Sequence, residues 1–131
     1  MKEEIHPLKE VAYTTTNEPG VVALVIEDMR GSEFAAATNA WGICDLIAHS
    51  LDVAQFEAFS QATAQTSDPH PTASADASQM QLLPGRSPTE VAATISVGCL
   101  NLVFHLPLAE VIRAAAQLTK SVERGPGPSR H

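Results

Sequence analysis

A stretch of nineteen residues without a charged side chain, from Val91 to Ala109, constrains the fold of this chain more than any other feature. Exposing so much apolar surface to water is unfavourable, so the stretch has to be covered by the chain itself, by a second subunit or by lipid. Its length nearly suffices to cross a bilayer. Polar residues and a proline interrupt it, at Thr94, Ser96, Asn101, His105 and Pro107. It also lacks aromatic or basic flanks, so a buried core element is favoured and no membrane partner is expected.

Local signals predict that this stretch is helical. The residues Ser87-Pro88-Thr89-Glu90 just upstream combine a serine N-cap, a proline at the first helical position and the glutamate of a capping box. They predict a helix over 88–105, which Pro107 ends, and a further helix from Pro107 through Val122. A strand is the alternative for 94–106, because apolar side chains recur there at every second position. These are Leu100, Leu102, Phe104 and Leu106.

The first half of the chain predicts a hairpin followed by helices. Residues 9–16 and 21–27 are rich in β-branched side chains and flank the turn sequence Asn17-Glu18-Pro19-Gly20. Ser32 is suited to cap a helix over 33–49. Asp52 is suited to cap another that fades near Gln65.

The polar segment 66–79 joins two similar halves. It contains two prolines and almost no large apolar side chain, which is typical of a linker, and residues 80–83 after it predict a short strand. At an offset of 56, residues 42–63 match 98–119 at six positions, which makes 28–65 and 84–123 candidate repeats. The expected fold is α+β and predominantly α. An N-terminal β-hairpin packs on about four helices, arranged as two helical hairpins, in one domain over 1–123 followed by a disordered tail over 124–131.

Charge and composition exclude several partners. The net charge is −7, with ten acids against three bases in residues 1–65 and five of each in residues 66–131. Because the basic residues are scattered, no nucleic-acid-binding surface is expected. The N-terminus has no apolar stretch after its charges, so a cytoplasmic location is expected.

Two histidines occupy equivalent positions of the candidate repeat. His49 follows Asp45 by four residues on one helical face, and His105 follows Asn101 in the same way. An acid and an imidazole on one face can act in catalysis or ligand binding, although a histidine in the last helical turn is also favoured by the helix dipole alone. Together with the single tryptophan, Trp41, these four residues are the candidate ligand-binding set. No spacing typical of a metal site is present, and neither a metal nor a cofactor is expected.

Two arginines precede predicted helix starts. Arg30 and Arg86 are therefore candidates for anion binding at helix N-termini, with ordinary surface positions as the alternative.

Three functions remain open on the sequence. The leading hypothesis is a non-catalytic cytoplasmic interaction or regulatory protein that self-associates as a dimer or higher homo-oligomer through its apolar second half, with a further protein partner or a small molecule left open. The first alternative is a small-molecule-binding protein with a pocket between the repeats. The second is a small enzyme that uses an Asp–His pair.

Overall fold

The computed structural model describes residues 5–124 of the chain. Contacts within the chain divide it into two compact units, Met1–Ala73 and Ser74–His131. Each unit is a three-stranded antiparallel sheet followed by helix, and each is described by itself below.

The first unit contains three strands and two helices. They are β1 (Leu8–Thr15), β2 (Val22–Asp28), β3 (Glu33–Thr38), α1 (Ala40–Ala54) and α2 (Glu57–Ala64). The strands pair in the order β1-β2-β3, all antiparallel. Asn39 caps α1, because its side-chain oxygen accepts a hydrogen bond from the backbone N–H of Gly42 at 3.0 Å.

The second unit contains three strands and one helix. They are β4 (Gln79–Pro84), β5 (Glu90–Val97), β6 (Leu100–Pro107) and α3 (Leu108–Glu123). The strands pair in the order β4-β5-β6, again antiparallel. Gly98 lies in the two-residue turn between β5 and β6 with a φ of +57°, a conformation that favours glycine.

The two sheets have equivalent centres. Only two apolar residues of the described chain are buried, Leu24 in β2 and Ala93 in β5. Leu24 pairs with Tyr13 and Ala36, and Ala93 pairs with its counterparts in β4 and β6, Leu82 and Phe104. Equivalent positions are therefore 68–69 residues apart, whereas the sequence match has an offset of 56. That match aligned Gly42, which lies in α1, with Gly98, which lies in a turn.

The prediction of a predominantly α fold with four helices is wrong. The structure has six strands in two sheets and three helices among its described residues. The predicted helix over 88–105 is the hairpin of β5 and β6, as the alternating pattern of its apolar residues indicated. Glu90 does not close a capping box. It accepts hydrogen bonds from Arg86 while its backbone N–H donates to Ser87 O at 3.2 Å in a turn.

The first half also differs from its predicted helices. Residues 33–38 form β3 because they pair with β2 along their whole length, and α1 begins only at Ala40. Asp52 lies inside α1 and does not cap a helix, since α2 begins at Glu57. The predicted N-terminal hairpin, the short strand after the linker and the last helix are present, and the predicted tail lies outside the described residues apart from Arg124. No helix of residues 5–124 is long and apolar enough to cross a membrane.

Candidate docking surface

One face of the second sheet is entirely apolar. Alternate residues of a strand share a face, and the strand register aligns these residues across the sheet. Met80, Ile95 and Leu102 form one row, and Leu82, Ala93 and Phe104 form the next. We call this side of the sheet the apolar face. The uncharged stretch found in the sequence supplies most of it, because β5 and β6 lie almost entirely within that stretch.

Helix α3 covers the apolar face only in part. A groove of about 580 Å³ remains between the helix and the sheet, and Glu110 is its only charged lining residue. Met80 is 63% exposed on the sheet side, and Leu118 is 66% exposed on the helix side. Large apolar side chains are normally buried in a folded core, so a single chain leaves an exposed apolar surface here.

The polar side of α3 is held by a short network of its own. Arg113 donates hydrogen bonds to Glu110 Oε2 at 2.7 and 2.9 Å and to Gln117 Oε1 at 3.1 Å. The Arg113 guanidinium holds the pKa of the Glu110 carboxyl below its usual value, mainly through the hydrogen bonds. Glu110 is thus paired within its own helix at the rim of the groove.

A cluster of three polar side chains lies where β5 begins. Arg86 donates to both carboxylate oxygens of Glu90, with distances of 2.8 Å from Nε and 3.1 Å from a terminal nitrogen. His105 Nδ1 lies 3.6 Å from Glu90 Oε1. Hydrogen bonds from the Arg86 side chain and backbone lower the pKa of Glu90 to about 2. Arg86 thus fixes the Glu90 carboxylate on the face of the sheet opposite the apolar face.

Replacing Glu90 with glutamine should flatten the acid side of the stability profile. A carboxyl whose pKa is lowered on folding stabilises the native state above the unfolded pKa, and this contribution is lost as the pH falls through the folded value. For Glu90 that window extends from about pH 5 down to about pH 2. Urea unfolding followed between these limits should show less pH dependence for Glu90→Gln than for the wild-type chain. An identical slope for both would contradict the pairing.

The predicted site residues lie in separate places. Arg86 and His105 meet at Glu90, whereas Asn101 lies near the other end of β6, where its side-chain oxygen accepts a hydrogen bond from Ser96 Oγ at 2.9 Å. The remaining ligand candidates, Trp41, Asp45 and His49, lie on α1 of the first unit, where Trp41 is 82% exposed.

Neither predicted anion site lies at a helix N-terminus. Arg30 lies in the loop between β2 and β3, and one of its terminal nitrogens lies 2.7 Å from Nε2 of His6, which precedes β1. Arg86 precedes a strand. Among residues 5–124 no group of three or more potential ligands is placed to hold a metal ion. Sequence reasoning missed Glu90, which it assigned to helix capping. It also missed the groove. The sequence signal for it was the apolar residue at every second position of β6, which indicates a strand with one apolar face.

No family model, curated protein or solved structure matches this chain.

Proposed function

We propose that this chain is a non-catalytic cytoplasmic interaction protein that works as a homo-oligomer, and that a second copy covers the apolar groove of the second unit. The observation that carries the proposal is the groove itself, since part of a wholly apolar sheet face and the facing side of α3 lie open to water in one chain. Its only charged lining residue, Glu110, is paired with Arg113 and offers no acid–base pair for catalysis.

Exposed side chains of the groove support the same proposal. Leu82 and Leu118, which line it, are 48% and 66% exposed in one chain. A second copy that covers them removes apolar surface from water, which is the dominant favourable term in most protein association.

Thermal unfolding at several protein concentrations tests the proposal. If folding and assembly are coupled, mass action stabilises the assembled state, and the Tm should rise by about 3 °C for each tenfold increase in concentration. The Tm of a protein that folds as a monomer does not depend on concentration. A Tm that stays constant over a hundredfold range would contradict the proposal.

A small apolar ligand is the second candidate occupant of the groove. The groove volume of about 580 Å³ falls in the range of ligand pockets, and its lining is almost entirely apolar. Native mass spectrometry of freshly purified protein separates the two candidates. A second copy gives a multiple of the chain mass, whereas a retained ligand adds a small fixed mass to a single chain.

A further inference from the structure

The outer edge of β4 has unpaired backbone groups of known direction. Gly85 donates its N–H to Glu90 O at 3.0 Å, and bonding positions alternate along an antiparallel pair. Gln81 and Leu83 therefore also bond inward to β5. Met80 and Leu82 alternate with these residues, and each of the two directs both its N–H and its C=O away from the sheet. Their side chains, in turn, belong to the apolar face.

The edge of β4 has no charge or bulge to prevent strands from pairing, and its one proline, Pro84, lies at the end of the strand, outside the stretch from Met80 to Leu82. Its sequence, Gln79 to Pro84, contains no charge, and all six residues are exposed. The equivalent edge strand of the first unit, β1, has a register shift between Leu8 and Glu10 and carries the charge of Lys9. Bulges and charges at an edge block its extension by another strand. The second sheet has an open edge where the first has a protected one.

We infer that β4 of a second copy pairs antiparallel with β4 and joins the two second-unit sheets into one six-stranded sheet. This inference rests on the proposed function and specifies its interface. A two-fold axis through Gln81 places Met80 opposite Leu82 of the second copy. By the same symmetry, Leu82 lies opposite Met80 of the second copy. Both residues of each pair direct their N–H and C=O groups outward, so four backbone hydrogen bonds form across the edge.

The same register matches the side chains. Residues directly opposite in neighbouring strands lie on the same face. Met80 and Leu82, which are 63% and 48% exposed in one chain, become neighbours of Leu82 and Met80 of the second copy. The apolar face then continues across the axis, and the helices α3 of both copies lie on that side of the joined sheet. The β4 side of the groove is thereby closed by the second copy.

Cross-linking through cysteines tests the register. In a chain carrying Cys44→Ser and Cys99→Ser, the variant Gln81→Cys should form a disulfide between copies under mild oxidation. Position 81 is a non-hydrogen-bonded pair on the axis, with a Cα–Cα distance of about 4.5 Å, which a disulfide spans. Gln79→Cys is the matched control on the same face of the same strand. It lies about 14 Å from its own counterpart and should not cross-link.

Leu82→Pro tests the backbone pairing across the axis. It removes an outward N–H and leaves the bonds from β4 to β5 in place, which is where proline is tolerated in a sheet. Two of the four bonds across the axis are lost, so the dissociation constant measured by sedimentation should rise about 30-fold. Gln81→Thr changes the opposite face of the same strand, adds no charge beside its counterpart on the axis, and should leave this constant nearly unchanged.

The outcomes separate this inference from the proposed function. A wild-type chain that sediments as a monomer overturns both. A wild-type oligomer in which Gln81→Cys stays reduced, or cross-links no better than Gln79→Cys, overturns the β4 pairing alone. A wild-type oligomer with efficient cross-linking at 81 and weaker association of Leu82→Pro supports the six-stranded sheet.

Discussion

Replacing Leu118 with lysine is expected to convert the assembled protein into monomers, with a dissociation constant raised about 100-fold. Leu118 lines the helix side of the groove and is 66% exposed in one chain. If a second copy covers the groove, the lysine replaces a buried leucine and brings an unpaired charge into the interface. Sedimentation equilibrium of the two proteins measures the change.

The same substitution separates an interface from an ordinary core position. Because Leu118 is mostly exposed in one chain, lysine there should leave the secondary structure of the monomer intact, as judged by circular dichroism. Gln117→Lys is the matched control, since Gln117 is the next residue and bonds to Arg113 on the polar side of α3. It should leave the mass in solution unchanged. Equal effects of both substitutions would contradict the assignment of the groove as the interface.

Replacing Gly85 with alanine is expected to destabilise the second unit by about 2–3 kcal/mol. A Cβ at this position would lie 2.5 Å from the carbonyl oxygen of Glu90 and 2.7 Å from its carbonyl carbon. These are backbone atoms of the first residue of β5. They cannot move away without breaking the hydrogen bond from Gly85 N to Glu90 O. Urea unfolding at a fixed protein concentration measures the loss.

Gly42→Ala is the control for this prediction. A Cβ at Gly42 would meet the Thr38 side chain, whose hydroxyl can rotate away, so the clash can be relieved locally. Alanine also favours the helical state over glycine by up to about 1 kcal/mol. Gly42→Ala should therefore destabilise the chain less than Gly85→Ala does. A Gly85→Ala variant as stable as the wild-type chain would show that the turn is less tightly closed than the structure indicates.

The fold was predictable where local signals were unambiguous. Pro19-Gly20 correctly marks the turn of the first hairpin. Pro107 correctly marks the break before the last helix, although the element before it is a strand and not the predicted helix. The residues Ser87 to Glu90 led to the wrong prediction of a helix over 88–105, because the same residues suit both a helix start and a turn. The choice between them depends on Arg86, which holds the glutamate, and on the pairing of β5 with two neighbouring strands. Tertiary pairing overrides a local capping preference in such a segment.

The candidate site was predictable only in fragments. Arg86 and His105 were chosen for separate reasons and lie together because both reach Glu90. Asp45 and His49 both lie on α1, as their spacing predicts. Asn101 and His105 were matched to them through the sequence offset of 56, whereas equivalent strand positions of the two sheets are 68–69 residues apart. The groove draws its lining from three strands and a helix. No local pattern joins residues so far apart in sequence, although the uncharged stretch did indicate that a large apolar surface needed a cover.

The mass of the wild-type protein in solution tests the central claim most directly. Light scattering coupled to size-exclusion chromatography should be run at about 100 μM, well above the dissociation constant of a micromolar interface. A homo-oligomer gives an integral multiple of the chain mass of 13.9 kDa, beginning with the dimer proposed to form through β4. A mass of 13.9 kDa at this concentration, with no trend towards larger species, would contradict it.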